Sequence, residues 1–283
     1  MGLFDKKTKA GEKEMSFLQH LEELRWHIVR SVAAIVIMSI VAFIFKDFLF
    51  NGVILAPRNP EFFTNRVLCH LGDLLNTTLL CINTKPFNLI NINMSGQFST
   101  HVTVSVIAGI VMAFPFIVWE FWSFFKPALL SNEKKYAGVA VVSASILFFI
   151  GVGFGYYMIV PFSLSFLGSY EVSSEIVNQI NVMSYIKTVA QIALASGLIF
   201  ELPIVAFFLT KIGLISPTFM KTYRKHAIVV IFIIGAIITP PDIMSQTLVS
   251  IPLIGLYEFS ILISSGVVRR KEREDAKLKA EEK

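Results

Sequence analysis

Two carboxylic acids stand deep inside long apolar runs of this sequence, away from their ends. Glu201, immediately ahead of Leu202-Pro203, must be neutral, wetted or paired, because an ionised side chain at mid-bilayer costs roughly 2.5–3.5 kcal/mol even on lenient insertion scales. Pro203 frees a backbone carbonyl one turn back, near Ile199, and so adds a second polar group to that face. Glu258 is a second deep acid. Intramembrane acids are functional by default; the structural alternative for Glu201 is a protonated side chain hydrogen-bonded to a neighbouring helix or through Gln191 or Ser196. A third acidic centre lies near the N-terminus. Phe17, Leu21, Leu24 and Ile28 recur at helical spacing, Ser16 and Gln19 form a capping-box pattern, and Glu22 and Glu23 fall off the apolar stripe within a turn of Trp26. The alternative there is a solvated helix start whose acids complement the positive helix end.

The elements that position these acids are read from composition. With 54% hydrophobic residues and a mean hydropathy of +0.67, the 283 residues carry more apolar surface than one soluble core can hide. The chain is an all-α integral membrane protein. Its net charge of +5 does not point to nucleic acid, because the basic residues gather between and beyond the apolar runs. Residues 1–14 are polar and the run after them lacks a small-residue cleavage pattern, so no removable signal peptide is expected.

Six runs suit spanning helices, at about 28–45, 102–125, 136–159, 185–210, 227–239 and 247–264. Of the 25 Lys and Arg, all but Lys46, Arg58, Arg66, Lys85 and Lys187 fall in the N-terminal segment, the second and fourth connections and the tail. The positive-inside rule therefore places both termini in the cytoplasm. Three segments follow: an amphipathic cytoplasmic segment 1–27, a six-helix membrane domain 28–264 with a long external loop 46–101, and a charged cytoplasmic tail 265–283 that is disordered or loosely helical.

Details within the spans carry further expectations. The fifth run is about 20 Å of helix against a hydrocarbon core of about 30 Å, and Pro240-Pro241 stops it. Glu120, beside Trp119 and Trp122, is expected to be interfacial and within snorkelling reach of the cytoplasmic surface. Gly151, Gly153 and Gly155 suggest a face for close helix approach. Cys69 and Cys81 lie in the long external loop. They suit a disulfide contributing about 3 kcal/mol if that loop meets an oxidising compartment, or two free thiols; nothing around them looks like a metal site.

Four motifs occur in order along the chain: Phe17-Leu-Gln-His-Leu-Glu-Glu-Leu-Arg25, Phe125-Lys-Pro-Ala-Leu-Leu-Ser-Asn-Glu133, Phe200-Glu-Leu-Pro203 and Thr239-Pro-Pro-Asp-Ile-Met-Ser-Gln246. Together they resemble the TatC family, the receptor core of the twin-arginine protein translocase. The resemblance implies a concave, glove-like bundle of six helices with external cap loops, in the bacterial cytoplasmic (inner) membrane. It implies export of folded proteins whose signal peptides carry an Arg-Arg pair, in a multimeric complex with single-span TatA/TatB-type partners and without a cofactor. By the same resemblance Glu23 and Glu133 form the signal-peptide site with Arg25 beside them. Glu201 becomes the intramembrane acid that meets single-span partners, Gln246 a polar position on the sixth span, and Pro240, Pro241 and Asp242 the external cap. Two departures stand out: His27 replaces a usual second basic residue, and the first external loop is longer than typical, with the cysteines inside the apparent insertion.

The chemistry fits that role. A guanidinium pair is best held by carboxylates that each accept two parallel hydrogen bonds, and lysine, a point charge, fits less well. Glu133 near the start of the third span also complements a helix N-terminus. A competing reading, a proton-coupled small-solute transporter using Glu201 and Glu258, draws on the deep acids and Pro-broken spans. Against it, the halves show no inverted repeat. A membrane enzyme has no support: there is no His-Glu-x-x-His, no P-loop and no Ser-Lys or Cys-His arrangement.

Overall fold

The computed structural model describes residues 17–77, 80–84, 87–125, 137–173, 175, 178–239 and 243–281. Helix α1 (Phe17–Ile44) runs without interruption from the charged N-terminal motif into the first apolar run, so the expected boundary at residue 27 is not a structural break. A π-helical turn (Phe48–Ile54) and a short 3-10 turn (Ala56–Arg58) follow, then α2 (Phe63–Leu74). The long helix α3 (Gly96–Phe125) carries Pro115 within it. Next, α4 (Ala137–Phe154) continues through a π-helical turn (Gly155–Ile159) into α5 (Val160–Ser169). Strands β1 (Leu89–Ile90) and β2 (Ile180–Asn181) pair in parallel, Leu89 opposite Ile180, and tie the two loops that precede α3 and α6.

The second half contains α6 (Val182–Ile199), α7 (Leu202–Lys211), α8 (Pro217–Thr222), α9 (Arg224–Ile238) and α10 (Ile243–Glu281). Among the described residues, five segments are long and apolar enough to cross a membrane: Leu21–Ile44, Gly96–Phe124, Gly138–Ser169, Val182–Lys211 and Ser245–Arg273. The fifth apolar run forms α9, whose 15 residues reach about 22 Å, short of a hydrocarbon core of about 30 Å. Of the two forms expected for the tail, the structure has the helical one: α10 carries on through the charged residues to Glu281 as one helix. Once a helix is nucleated by a packed apolar segment, each further residue adds a backbone hydrogen bond without a new nucleation cost.

The core sits where α5, α6 and α10 converge, around Ile159, Val160, Ile186, Ile192, Val249 and Leu253. Tyr185 is buried there and donates its hydroxyl to the Ile54 carbonyl at 2.7 Å. Small residues let two helix pairs approach backbone to backbone. A Cβ on Gly109 of α3 would stand 2.1 Å from Ser39 Oγ and 2.7 Å from the Ser39 nitrogen of α1. On α4 and the turn after it, Gly151 and Gly155 face Ser196 of α6 in the same way, whereas Gly153 faces open space. The expected triple-glycine face is therefore a pair one turn apart, because positions two apart, such as Gly151 and Gly153, do not share a helix face.

Candidate functional site

The first site is built at the end of the molecule where α1 begins and α3 finishes. The two helices pack along their lengths, which brings His27 of α1 against Glu120 of α3 with Nδ1 and Oε2 2.5 Å apart. Arg30 Nη1 reaches the same oxygen at 3.3 Å, and His27 makes an edge-on ring contact with Phe124. Glu120 is only 6% exposed. The expectation that Glu120 snorkels to the surface is thereby corrected: Glu120 points into the helix pair, where His27 and Arg30 of α1 supply the hydrogen bonds that water would supply at the surface.

Glu23 lies one turn before His27 on the same face of α1. Its side chain is half-buried, and its Oε2 is enclosed without a hydrogen-bond partner among the described residues. Neighbouring Glu22, Arg25 and Trp26 are exposed. A buried carboxylate oxygen with no donor is unusual, since nearly all such atoms are paired. An enclosed acceptor beside an open face suits a donor arriving from outside. Glu133, expected to join it, lies outside the described residues, as does Ser16 of the capping box.

The second site is at the break between α6 and α7. Phe200 and Glu201 leave the α-helical pattern: the Glu201 N–H donates to the Leu198 carbonyl, three residues back, while the Glu201 carbonyl accepts from the N–H groups of Ile204 and Val205. Pro203 lies in the first turn of α7, as its missing donor requires. The Glu201 side chain is half-buried and its Oε1 is likewise enclosed without a partner among the described residues. Gln191, one of the hydrogen-bonding groups considered for it, instead donates to the Ile237 carbonyl of α9 at 3.0 Å. Gln246 of α10 donates to the Phe232 carbonyl at 3.3 Å. Both glutamines therefore bond the backbone of the short helix α9.

Glu258 is different. Its carboxylate is held by Arg224 through two contacts, Nε to Oε1 at 2.6 Å and Nη2 to Oε2 at 2.9 Å, and both side chains are substantially exposed. This bidentate pair joins the start of α9 to α10. A paired acid of this kind is a poor relay, which removes one leg of the transporter reading. Pro240, Pro241 and Asp242, the expected external cap, lie outside the described residues.

Cys69 and Cys81 are joined in a disulfide, and Asp73 lies close by. With both sulfurs bonded to each other the group offers no thiolate to a metal. Sequence reasoning missed the His27–Arg30–Glu120 cluster. Its only trace was the replacement of a basic residue by His27, and nothing in a linear reading joins that position to one 93 residues away.

The model of the family described as Sec-independent protein translocase protein (TatC) matches residues 19–252. This chain belongs to the TatC family. It is 38% identical over 265 residues to the TatC protein of Blattabacterium sp. subsp. Periplaneta americana, covering 93% of this chain and 100% of that one. It is 35% identical to the TatC protein of Campylobacter jejuni over 88% of this chain and 93% of that one. A crystal structure of the twin arginine translocase receptor TatC superposes with a TM-score of 0.67 at 32% identity, over 88% of this chain and 99% of the other. The helical membrane fold expected from the motifs is thus the TatC fold. TatC proteins belong to a protein translocase and are not enzymes.

Proposed function

We propose that this chain is the receptor subunit of a twin-arginine translocase in a bacterial cytoplasmic membrane. It crosses six times, with α9 as the short fifth span and both termini cytoplasmic, binds the Arg-Arg pair of signal peptides on folded precursors, and works in a multimeric complex with single-span TatA/TatB-type partners. The observation that carries this reading is the enclosed Oε2 of Glu23, without a partner among the described residues and beside an open face at the α1–α3 end. A guanidinium placed there would give that oxygen a charge-assisted hydrogen bond worth about 1.5–3 kcal/mol. Glu133 would hold the second guanidinium, with Arg25 as the basic position beside them.

Glu201 serves a different step. Its enclosed Oε1 at a helix break, without a partner among the described residues, supports a role as acceptor for a polar group on a partner's spanning helix; Gln246 and the residues Pro240, Pro241 and Asp242 keep the roles that the family resemblance implies for them. Site-specific photocrosslinking from position 23 to a twin-arginine precursor in native membranes tests the receptor assignment. A crosslink that disappears when the Arg pair becomes Lys-Lys is expected; crosslinking indifferent to that change would refute it.

A further inference from the structure

We propose that α2, in the loop before α3, is an interfacial helix that lies on the lipid surface and seats one flank of its exposed face in the outer part of the bilayer. At about 100° per residue its positions sort into three sectors. Phe63, Leu74, Val67 and Leu71 span about 80° of arc and are 61%, 67%, 41% and 44% exposed. Arg66, His70 and Asp73, also exposed, take the adjoining sector of about 60°. The third sector, Asn65, Cys69 and Gly72, faces the protein. Asn65 donates to the carbonyls of Pro57 and Asn59, Cys69 is bonded to Cys81, and a Cβ on Gly72 would stand 2.7 Å from the Thr77 carbonyl oxygen. The helix is thus fixed in rotation, and the fixed rotation leaves an apolar flank outside beside a charged one.

Its depth can be read from the helix it leans on. Thr64 donates to the Tyr157 carbonyl, Phe62 stacks on the Tyr157 ring at 5.5 Å, and Phe63 meets the same ring edge-on at 6.3 Å. With the bilayer entered at Ala137, where α4 starts, Tyr157 lies twenty residues along the span, about 30 Å of helical rise, which is one hydrocarbon thickness. The start of α2 therefore stands at the hydrocarbon boundary, where Tyr side chains prefer to sit. Its apolar flank continues, through Phe63 and Tyr157, the exposed surface that Met158 and Ile150 present on the same span. A helix at this depth, apolar on one flank and carrying both signs of charge on the next, has the pattern of a helix lying in the membrane plane. That the leaflet is the external one rests on the topology proposed above; lipid contact does not.

The test uses single cysteines at Val67, Leu71, Arg66 and His70, each carrying a nitrobenzoxadiazole label, with the full chain in nanodiscs of phosphatidylethanolamine and phosphatidylglycerol. The native cysteines stay in their disulfide. Ile150→Cys sets the value for a lipid-embedded label. Labels at 67 and 71 are expected to be quenched several-fold more by a shallow doxyl lipid than those at 66 and 70, with the order reversed for aqueous iodide. Equal access of iodide to all four positions would overturn the proposal. So would labels at 67 and 71 shielded from both quenchers, which would mean that protein covers the flank. Because nanodiscs report lipid contact from either side, a wrong topology would leave this result unchanged and would show instead in the crosslinking of position 23.

Discussion

His27 and Glu120, 93 residues apart in the chain, meet with Nδ1 and Oε2 2.5 Å apart, and Arg30 closes on the same carboxylate oxygen. This cluster locks the register of α1 against α3 just above Glu23. Glu120 is the buried acceptor of the cluster, and removing it takes away the hydrogen bonds to His27 and Arg30 and leaves a gap between the helices. Glu120→Ala is therefore expected to lower stability by about 1–3 kcal/mol, read as a drop in the thermal midpoint of the detergent-solubilised protein. His27→Ala should cost less, since Arg30 still reaches Glu120. Equal midpoints for Glu120→Ala and the parent would show that the cluster does not hold the helices together.

Glu23→Gln keeps the shape of the side chain and removes the charge. Losing one charge-assisted bond of about 1.5–3 kcal/mol corresponds to roughly 10- to 100-fold weaker binding of an Arg-Arg signal peptide. Glu133→Gln is expected to act in the same direction. Peptide titration on membranes carrying each variant at matched levels measures both; unchanged affinity in both removes the two-carboxylate site.

Glu201→Ala is expected to leave folding intact, because the deleted Oε1 has no partner to lose among the described residues. It should instead abolish most transport of a reporter precursor and weaken co-purification of single-span partners. A variant that exports at the parental rate would remove Glu201 from the functional surface.

Gly109 and Gly153 make a matched pair for packing. Gly109→Ala forces a methyl into Ser39 of α1 and is expected to destabilise by about 1–3 kcal/mol, the usual range for overpacking. Gly153→Ala meets open space and should be neutral or slightly stabilising, since alanine favours the helix. Thermal unfolding of both variants in one detergent decides it, and an equal response would mean that the α1–α3 contact is loose.

The linear chain was enough for the existence and order of the long helices, since period and length alone identify an apolar run that must satisfy its own backbone bonds. It was enough for Glu201 too: an acid next to a proline in such a run is conspicuous without any knowledge of neighbours, and the structure puts it at the break between α6 and α7. It was insufficient for Glu120 and Glu258. Each has its partner on another helix, so a residue that reads as a surface acid can be buried, and one that reads as deep can be half-exposed and paired.

What the residues alone determined is the class of molecule and the local chemistry, because hydropathy, helix breaks and charge placement are properties of short segments. What only the tertiary structure decided is which carboxylates are satisfied and which are left open. That depends on distances between helices far apart in sequence: α1 brings two bases to Glu120 and leaves Glu23 Oε2 without a partner among the described residues. The rotation of α2 was settled in the same way, since Asn65, the Cys69–Cys81 bridge and the Gly72 contact, and not its own periodicity, decide which side it turns outward.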